Sequence, residues 1–592
     1  MDSVLKPLTT EVQTRRIVAW DIETTPTDMK PFLVGIRWGR LDCQAIQFEG
    51  HDCIAKTLEW FLEDSERHED TSYYAHNGGG FDHQFVIHEA VARQSGRFRV
   101  APIVSGGSSI LVFVREKGSG RTVNLYDSLR LFIAQSLSSI GRKMGVSLKG
   151  DMDLNAPITD PKWKDYNNRD TLVLWEAVSK LQDAVHDLGG QVKATAASTA
   201  MDLFRRRYLK REILPHRSLH DFFRRCYVGG RTEVFDLRRR TGPINYYDVN
   251  SLYPFACLRP LPVVLTEKGN RTVEGLPSYN PDTEALFANC LVEIPDSVSV
   301  PPLPIRNGGK LIFPVGRFWG TWSTPDLGNL LLAGGRVVRT SRWYRWACEP
   351  IAREMMTDLY AQRKSDRPEM QVAAKGLMNS WYGKFGQKPE HDEMVFFPDA
   401  GDMDEGVWRP DDDDENLWLG ETVKEEVHIL PQIAAHVTSI ARSIHYPYLH
   451  SCKDLIYCDT DSVVTTDTLP MGDALGEMKL EHEGIQEFQA IAPKTYRMVL
   501  SDSKLVEHAK GFGGWAKEAY EGGVVTHLAS GGSVRVRGPM KLRSLIKSGD
   551  LTPREKRGKD GALGHSKKLQ ARISKRIVND DGTTRPIKIM EG

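Results

Sequence analysis

Two aspartates two residues apart carry the first chemical signal in this sequence. An apolar run over residues 455–458 leads into Asp459-Thr460-Asp461, and a second, β-branched run follows at 463–466. This pattern is typical of a hairpin, in which alternate side chains share a face and both carboxylates can point at one spot. Carboxylates this close repel each other unless a proton or cation intervenes, and a divalent metal ion suits them at neutral pH. An ordinary Asp-Thr-Asp turn is the alternative.

A second group of acidic residues lies in the first third of the chain. Asp21 and Glu23 stand in an apolar run that predicts a buried strand, with both side chains on one face. Asp82 follows a Gly-rich loop, and Tyr166 and Asp170 stand at i and i+4 of a predicted helix. A D-x-E pair alone carries little information, so the prediction of a site depends on all of these residues together.

Two longer motifs could bind a nucleotide. In Asn245–Pro254 a predicted strand ends at Asp248 and is followed by a tight turn. Lys375, Asn379 and Tyr382 fall at i, i+4 and i+7, so they share one face of a predicted helix. An ammonium group, an amide and an aromatic ring on one face suit phosphates, base and sugar. A surface helix with a mixed polar stripe is the alternative.

Length and composition predict a large globular protein. The 592 residues suggest about four domains of roughly 150 residues each. The 40% apolar and 26% charged content is ordinary, and no apolar run approaches the roughly 20 residues that span a bilayer. The N-terminus lacks the apolar core of a signal peptide, so we expect an intracellular protein without a membrane partner. The eight scattered cysteines argue against a zinc site or disulfide framework, and we interpret Cys458 as a small core residue.

The formal net charge of zero hides strong local asymmetry. Residues 204–240 hold 12 Lys/Arg against four Asp/Glu, and residues 531–592 hold 16 against six. Between them, residues 390–426 hold 15 acidic against two basic residues. The basic tracts can follow a phosphate backbone, although either one alone could be a solvated face. The acidic block, with its Asp411–Asp414 run, either repels nucleic acid or forms a solvated loop.

The D-x-E strand, an N-x-x-x-F-D and a Y-x-x-x-D resemble, in order and spacing, the three motifs of DnaQ-like 3′–5′ exonucleases. The resemblance implies an RNase H-like fold in which four carboxylates bind two metal ions and Tyr166 orients the attacking water. Lys149, in Leu148-Lys149-Gly150-Asp151, matches a lysine that contacts the scissile phosphate. The four carboxylates are those of Asp21, Glu23, Asp82 and Asp170.

The same resemblance implies residues that hold a frayed DNA 3′ end. For the phenylalanines the physical reason is stacking on unpaired bases, worth roughly 1–3 kcal/mol per base, with core packing as the rival interpretation. The matching positions are His76, Asn77, Phe81 and Phe85, together with Ser128 and Leu129 in a single-strand-binding element.

The later motifs resemble the protein-primed family B DNA polymerases of linear-genome bacteriophages, the phi twenty-nine-like group. D-x-x-S-L-Y-P at Asp248, K-x-x-x-N-S-x-Y-G at Lys375 and Y-x-D-T-D-S at Tyr457 follow in family order. Two shorter elements match parts that contact the template and primer strands. They are Y-x-G-G, with Tyr227, Gly229 and Gly230, and K-x-Y, with Lys494 and Tyr496.

This resemblance implies two-metal nucleotidyl transfer. Asp248 and Asp461 would hold two Mg²⁺ ions, replaceable by Mn²⁺, with the Val249 carbonyl as a further ligand and Asp459 assisting. Lys375 would place a positive charge on the nucleotide phosphates. Tyr253 would stack under the sugar and exclude a ribose 2′-hydroxyl, and Asn379 and Tyr382 would complete the nucleotide site.

The expected fold class is α/β multidomain: an RNase H-like exonuclease domain and a right-hand family B polymerase domain with two insertions. The excess residues between the motifs match the terminal-protein regions of the phage enzymes. The C-terminal stretch is expected to be a small basic thumb or a partly disordered tail. The boundaries are exonuclease 1–195, palm 196–259 and 433–530, first insertion 260–350, fingers 351–386, second insertion 387–432 and thumb 531–592.

The sequence therefore predicts a replicative DNA polymerase that trims 3′ ends, displaces strands and starts on a terminal protein. Its partners would be template and primer DNA, dNTPs and the terminal protein in a heterodimer, with the chain otherwise monomeric in the cytoplasm of an infected bacterium. A family B polymerase that uses nucleic-acid primers or starts unaided is the main alternative. A non-catalytic DNA-binding protein or a nuclease alone is disfavoured, because both carboxylate sets are complete.

Overall fold

The structure, a computed structural model, describes residues 4–39, 43–133, 135–398, 407–411, 416–423, 426–511, 523–536, 538–548, 550–557, 565–568 and 575–590. Within these ranges, no helix combines the length and apolarity that a bilayer crossing requires. Much of the acidic block, including three residues of the Asp411–Asp414 run, lies outside the described residues, as does part of the expected thumb.

The N-terminal unit, residues 16–187, is a sheet flanked by helices. The first strand has an antiparallel neighbour on one side and a parallel neighbour on the other. Its apolar side chains are buried on both faces, which explains its nearly continuous apolar run. The elements are β1 (Arg16–Thr24), β2 (Pro31–Trp38), β3 (Gln44–Glu49), α1 (Cys53–Arg67), β4 (Thr71–Ala75), α2 (Asp82–His88), β5 (Phe98–Ser105), β6 (Ser108–Glu116), β7 (Thr122–Asp127), α3 (Leu137–Met144) and α4 (Lys162–Asp187).

A connecting segment leads from this unit to the first strands of a second sheet. Its elements are α5 (Ala196–Leu203), α6 (His220–Cys226), β8 (Thr232–Val234), β9 (Arg240–Val249) and α7 (Leu252–Ala256). The loop between α6 and β8 contains the Y-x-G-G motif, and β9 ends at the D-x-x-S-L-Y-P motif.

The first excess segment folds into a sheet of its own, which we call the insertion sheet. The strand order is β10-β16-β12-β15, with one face packed on α8. The elements are β10 (Leu261–Gly269), β11 (Val273–Glu274), β12 (Glu284–Ile294), β13 (Ile305–Asn307), β14 (Lys310–Ile312), β15 (Val315–Ser323), α8 (Thr324–Leu332) and β16 (Arg336–Glu349).

Two helices follow, α9 (Arg353–Gln362) and α10 (Pro368–Phe385). In α10, apolar side chains recur at helical spacing from Met370 to Phe385 and are buried, with Pro368 at the first turn. Because α10 packs on α5 and α4 through that stripe, Lys375 and Asn379 on the other side are exposed, whereas Tyr382 is half-buried and packs against the core.

The second excess segment joins the N-terminal sheet. Its strands are β17 (Glu390–Phe396), β18 (Val407–Pro410) and β19 (Leu417–Val423), and Phe396 pairs with Val100 of β5. The resulting sheet has ten strands in the order β18-β19-β17-β5-β6-β7-β4-β1-β2-β3. The described part of the second insertion is therefore an extension of the N-terminal unit.

The chain then completes the second sheet, here called the central sheet. Its order is β24-β23-β22-β9-β21-β20-β8, and β20 and β21 form the predicted Asp-Thr-Asp hairpin. The elements are α11 (Pro431–Ser451), β20 (Leu455–Asp459), β21 (Ser462–Thr465), β22 (Met478–Ala492), β23 (Thr495–Val499) and β24 (Leu505–Ala509).

The C-terminal stretch divides between three units, which differs from the single thumb expected for residues 531–592. Helix α13 buries Leu542 and Ile546 in the core of the N-terminal unit, whereas residues 575–590 return to the central and insertion sheets. The stretch divides because it contains apolar residues, besides the basic ones, that pack against segments far away in the sequence. The elements are α12 (Val524–Ala529), β25 (Ser533–Val536), α13 (Leu542–Lys547), β26 (His565–Lys568), β27 (Ile577–Val578), β28 (Thr584–Arg585) and β29 (Lys588–Ile589).

Residues 575–590 are held by backbone pairing and by buried side-chain contacts. Strand β29 pairs in parallel with β15, where Gly316 has a φ of +99° and a Cβ would lie 2.1 Å from the Ile589 carbonyl oxygen. Arg576 is buried and shares Glu233 of β8 with Arg231.

We predict that Gly316→Ala detaches this C-terminal segment, because the added methyl group has no space against Ile589. Limited proteolysis with mass spectrometry should show faster cleavage within residues 575–590. Gly334→Ala is the matched control, since Gly334 also has a positive φ of +73° but open space around it. The control should cost only the roughly 1–2 kcal/mol of backbone strain. Equal cleavage of the two variants would contradict the prediction.

Candidate active sites

Three carboxylates meet in the N-terminal unit. Asp21 and Glu23 of β1 and Asp170 of α4 each offer an oxygen, and these atoms lie within 4.8 Å of one another. The side-chain amide of Asn167 donates to Asp21 Oδ2 at 3.2 Å. Asp82, the fourth predicted ligand, is not in this group of three, but its Oδ1 accepts from the Ile22 backbone N–H at 3.2 Å.

The charged forms of these clustered carboxylates are unfavourable unless a cation lies near them. Burial raises the pKa of Asp21 and of Glu23, and neighbouring carboxylates raise each pKa further. Burial and then the charge of Asp21 likewise raise the pKa of Asp82. Asp170 Oδ1 is buried without a hydrogen-bond partner. Buried acceptors of like charge, one of them unsatisfied, fit divalent metal ions that take oxygen ligands.

One lysine already compensates part of this charge. Lys149 Nζ lies 2.6 Å from Asp170 Oδ2 and 4.8 Å from the centre of the Tyr166 ring. Burial opposes the charge of this lysine, but the Asp170 carboxylate outweighs it and raises the Lys149 pKa. The structure thus brings together three of the four predicted carboxylates, the tyrosine and the lysine, and Asp82 lies near enough for the charge of Asp21 to raise its pKa.

The residues expected to hold a DNA 3′ end are divided between surface and core. Asn77 is exposed and Phe81 half-buried, whereas Phe85 is buried and Ser128 fully so. His76 Nδ1 lies 3.0 Å from Ser128 Oγ. The half-buried Leu129 donates its backbone N–H to Asp127 Oδ1 at 3.0 Å.

The glycines of the same loop have a packing role. A Cβ on Gly79 would lie 1.7 Å from the Ser109 carbonyl oxygen, so the loop can pack on β6 only with glycine there. Buried members such as Phe85 support the surface that Asn77 and Phe81 present.

A second set of carboxylates meets at one edge of the central sheet. Asp248, at the end of β9, lies beside Ser462 of β21, and the Val249 backbone N–H donates to the Asp461 carbonyl at 2.9 Å. The hairpin tip turns at Thr460, which has a φ of +64°. Residues far apart in the sequence are therefore neighbours through strand pairing.

Asp459 has several donors. Its Oδ1 accepts from Lys494 Nζ at 2.7 Å, from Thr232 Oγ1 at 2.9 Å and from Thr460 Oγ1 at 3.1 Å. The sequence expected Lys494 on the primer strand; in this structure its ammonium group lies on Asp459. Tyr496, the other residue of that element, is half-buried and stacks on Phe488 with ring centres 5.5 Å apart.

Asp248 and Asp461 carry the excess negative charge of this edge. Burial raises the pKa of Asp461 to about 7, with Asp248 as the next cause. Burial and then Glu481 raise the pKa of Asp248 to about 6, against the opposing charges of Lys479 and Lys375. A cation between the two aspartates would stabilise their charged forms and lower both pKa values. These carboxylates therefore also fit a divalent metal ion.

A cavity of about 620 Å³ lies along α10. Among the described residues its lining includes no carboxylate of the central sheet, but Arg363 from the lining donates a hydrogen bond to Ser251 Oγ, just after β9. Lys375 and Asn379 of α10 line it, together with Arg363 and Lys143. Burial lowers the pKa of Lys375, and Arg363 lowers it further. Sequence analysis missed Arg363, although the basic pair Arg363-Lys364 directly after α9 was a signal that could have found it.

The two tyrosines predicted to bind the nucleotide lie against each other. The rings of Tyr253, on α7, and Tyr382, on α10, are stacked with centres 4.8 Å apart and planes 7° apart. The Y-x-G-G loop is also near, because a Cβ on Gly230 would lie 3.0 Å from Thr460 Cα. Gly229 faces open space, and the Tyr227 ring packs against Gly386 after α10.

The raised pKa values predict how stability changes with pH. A carboxyl group whose pKa is raised by folding stabilises the protein below its ordinary pKa near 4, and this contribution is lost as the pH rises through about 6 for Asp248 and about 7 for Asp461. Mg²⁺ should therefore raise the melting temperature more at pH 8 than at pH 5, on the order of 5 °C at saturation.

The matched control is Asp248→Asn with Asp461→Asn, measured by the same thermal melts. The double variant should show a smaller Mg²⁺ increment at pH 8, because the N-terminal cluster alone remains to bind the ion. An unchanged increment would contradict a metal site at the central sheet.

Comparison with solved structures establishes the fold. Phi29 DNA polymerase complexed with primer-template DNA and incoming nucleotide substrates superimposes with a TM-score of 0.68 at 19% identity, covering 89% of this chain and 97% of that one. Its complex with single-stranded DNA gives 0.65, also at 19% identity, covering 86% and 94%. The predicted α/β multidomain fold, an RNase H-like exonuclease domain plus a right-hand polymerase domain, is confirmed.

Two relatives share recognisable sequence. The DNA-directed DNA polymerase of Enterobacteria phage PRD1 is 24% identical over 514 residues, which cover 84% of this chain and 85% of the relative. A probable DNA polymerase of Neurospora intermedia is 26% identical over 377 residues, 58% of this chain. The chain spans only 38% of the length of that fungal protein.

A family model also matches the chain. The family described as DNA polymerase type B, organellar and viral, matches residues 155–468, more than half of the chain. That stretch runs from the helix with Asp170 through both strands of the Asp459–Asp461 hairpin. The chain belongs to the organellar and viral type B DNA polymerases.

Proposed function

We propose that this chain is a DNA-directed DNA polymerase with a separate 3′–5′ exonuclease site. The observation that carries the proposal is the pairing of β9 with β21. It sets Asp248 opposite Ser462 and next to Asp461, with the charge of Lys375 acting on the Asp248 carboxyl group. The substrates would be primer-template DNA and dNTPs. Phi29 DNA polymerase, which has the same fold, has been solved with primer-template DNA and incoming nucleotide substrates, and this supports the choice.

In the synthetic site, each group has a role that its position supports. Asp248, Asp461 and the Val249 carbonyl would hold two Mg²⁺ ions, which when bound activate the primer 3′-hydroxyl and neutralise the triphosphate. Lys375 would lie along the phosphates, where partial burial strengthens the attraction between the ammonium group and the phosphate charge. The flat Tyr253–Tyr382 wall would orient the sugar and leave no space for a ribose 2′-hydroxyl. Asp459, held by Lys494, would position the hairpin.

The trimming site would use Asp21, Glu23, Asp82 and Asp170 to hold its metal ions. Tyr166 would orient the attacking water, and Lys149 would move from Asp170 to the scissile phosphate when DNA binds. Asn77 and Phe81 would meet the unpaired 3′ end, and His76, Phe85, Ser128 and Leu129 would support them. Tyr227, Gly229 and Gly230 would guide the template and Tyr496 the primer.

Protein priming is the finer part of the proposal. The folded insertion sheet would bind a terminal protein in a heterodimer. Strands β17–β19, which join the N-terminal sheet, would border the template and favour strand displacement. PRD1 polymerase, a phage relative matched along most of both chains, supports action inside an infected host cell. Extension of nucleic-acid primers without a terminal protein is the alternative function.

Substitutions should separate the two sites. Asp461→Ala should lower primer extension by at least about 1,000-fold, the scale expected when charge stabilisation at a reacting phosphate is lost, and should leave 3′ trimming intact. Asp21→Ala with Glu23→Ala should do the reverse. Both activities are read on one labelled primer-template gel, with and without dNTPs. Loss of both in either variant would indicate misfolding, and trimming by the second would refute the exonuclease assignment.

A covalent assay tests priming. The polymerase, Mg²⁺ or Mn²⁺, radiolabelled dATP and the terminal protein encoded beside it should yield a labelled protein that survives denaturing electrophoresis. Asp461→Ala should abolish the label, because the same site would attach the first nucleotide. If the wild-type enzyme extends DNA primers but labels no protein, the nucleic-acid-primed alternative stands.

A further inference from the structure

A buried ion pair connects the insertion sheet to the core of the polymerase. Asp326, in the first turn of α8, accepts two hydrogen bonds from Arg442 of α11: Nε to Oδ1 at 2.8 Å and Nη2 to Oδ2 at 2.7 Å. Only 1% of the aspartate side chain and 5% of the arginine side chain are exposed. Burying such a pair costs desolvation free energy that its attraction barely offsets, so stability alone is a weak reason for its presence.

The third nitrogen of the same guanidinium reaches the Y-x-G-G loop. Arg442 Nη1 donates to the Val228 carbonyl at 2.6 Å and to the Gly229 carbonyl at 3.1 Å. One planar group therefore binds a carboxylate on one side and two backbone carbonyls on the other. Lysine cannot replace it, because an ammonium group is a point charge without this fork of donors.

The loop that Arg442 holds lies directly behind the hairpin tip. The Thr460 backbone N–H donates to the Arg231 carbonyl at 2.6 Å, and Gly230 packs on Thr460. On its other side the Tyr227 ring packs against Gly386, at the end of α10. A shift of the loop would therefore reach both the hairpin and the helix that lines the nucleotide cavity.

The position of Asp326 is itself fixed by α11. Its backbone N–H donates to Ser439 Oγ at 3.0 Å, and Ser323 Oγ lies 2.7 Å from His436 Nδ1. All four side chains are buried. The start of α8 therefore cannot move along α11 without breaking these contacts, and the carboxylate holds Arg442 in one orientation.

We infer that Asp326 and Arg442 are positioning residues through which the insertion sheet sets the Y-x-G-G loop for the template strand. This inference rests on the proposed function. The insertion then has a second task besides any partner it binds: it orients a loop of the synthetic site from outside that site. Neither residue touches the reacting atoms, so the effect of losing the pair should fall on DNA binding and on the balance between synthesis and trimming.

The first test is Arg442→Lys, which keeps the charge opposite Asp326 but loses the fork. Primer-template affinity, measured by fluorescence anisotropy in EDTA, should fall at least about ten-fold, the loss expected for hydrogen bonds to a charged group. The ratio of trimming to extension on the same primer-template should rise by a similar factor. Trimming of single-stranded DNA should stay unchanged, because the carboxylates of that site lie in the N-terminal unit.

Two further variants distinguish a positioning effect from a loss of folding. Asp326→Leu with Arg442→Met replaces the pair by apolar side chains of similar size, which is often neutral for stability, and should show the same two shifts at an unchanged melting temperature. Glu293→Gln is the control on the same insertion, because it breaks only the exposed pair with Arg336, at 2.7 Å, and should behave as wild type.

The outcomes distinguish the inference from the proposed function. A wild-type enzyme that fails to extend primers refutes the proposed function, and the inference with it. If the wild type extends primers and Arg442→Lys binds and partitions DNA as the wild type does, the inference alone is refuted. It is also refuted if Arg442→Lys loses extension and single-strand trimming in equal proportion, because that is the mark of a general structural defect.

Discussion

Repulsion between buried carboxylates is the constraint on which this structure depends. Two edges of two sheets each collect aspartates or glutamates whose charged forms are costly in the interior. The chain answers with cations drawn from distant elements: Lys149 at Asp170 and Lys494 at Asp459. The compensation is incomplete at both edges, and that remaining negative charge is what prepares each for metal ions.

Strand geometry explains why the sequence revealed so much of these sites. The two-residue period places Asp21 and Glu23 together on β1, and the β20–β21 hairpin forms where apolar runs flank Asp459-Thr460-Asp461. The helical face of α10 follows from the spacing of Lys375, Asn379 and Tyr382 in the same way. Such patterns are local, so they can be recognised before the fold is known.

What sequence analysis missed depends on contacts between distant segments. Nothing near Arg442 indicates that it reaches the loop more than 200 residues earlier, or that Asp326 lies opposite it. The sequence alone does not show that the apolar residues of α13 pack in the N-terminal unit, or that β29 pairs with β15. Burial of Phe85 and Ser128 likewise follows from tertiary packing, which composition and spacing do not encode.

The way the insertion sheet leaves and rejoins the chain has a consequence for how such enzymes diversify. Its first strand, β10, pairs with its last, β16, so that Leu261 lies opposite Glu349. The first and last residues of the insertion are therefore neighbours, and strand pairing keeps the distance between them fixed whatever lies between them. Because doubling a loop costs only about 0.6 kcal/mol, descendants could lengthen, trim or exchange this module while the catalytic carboxylates keep their places.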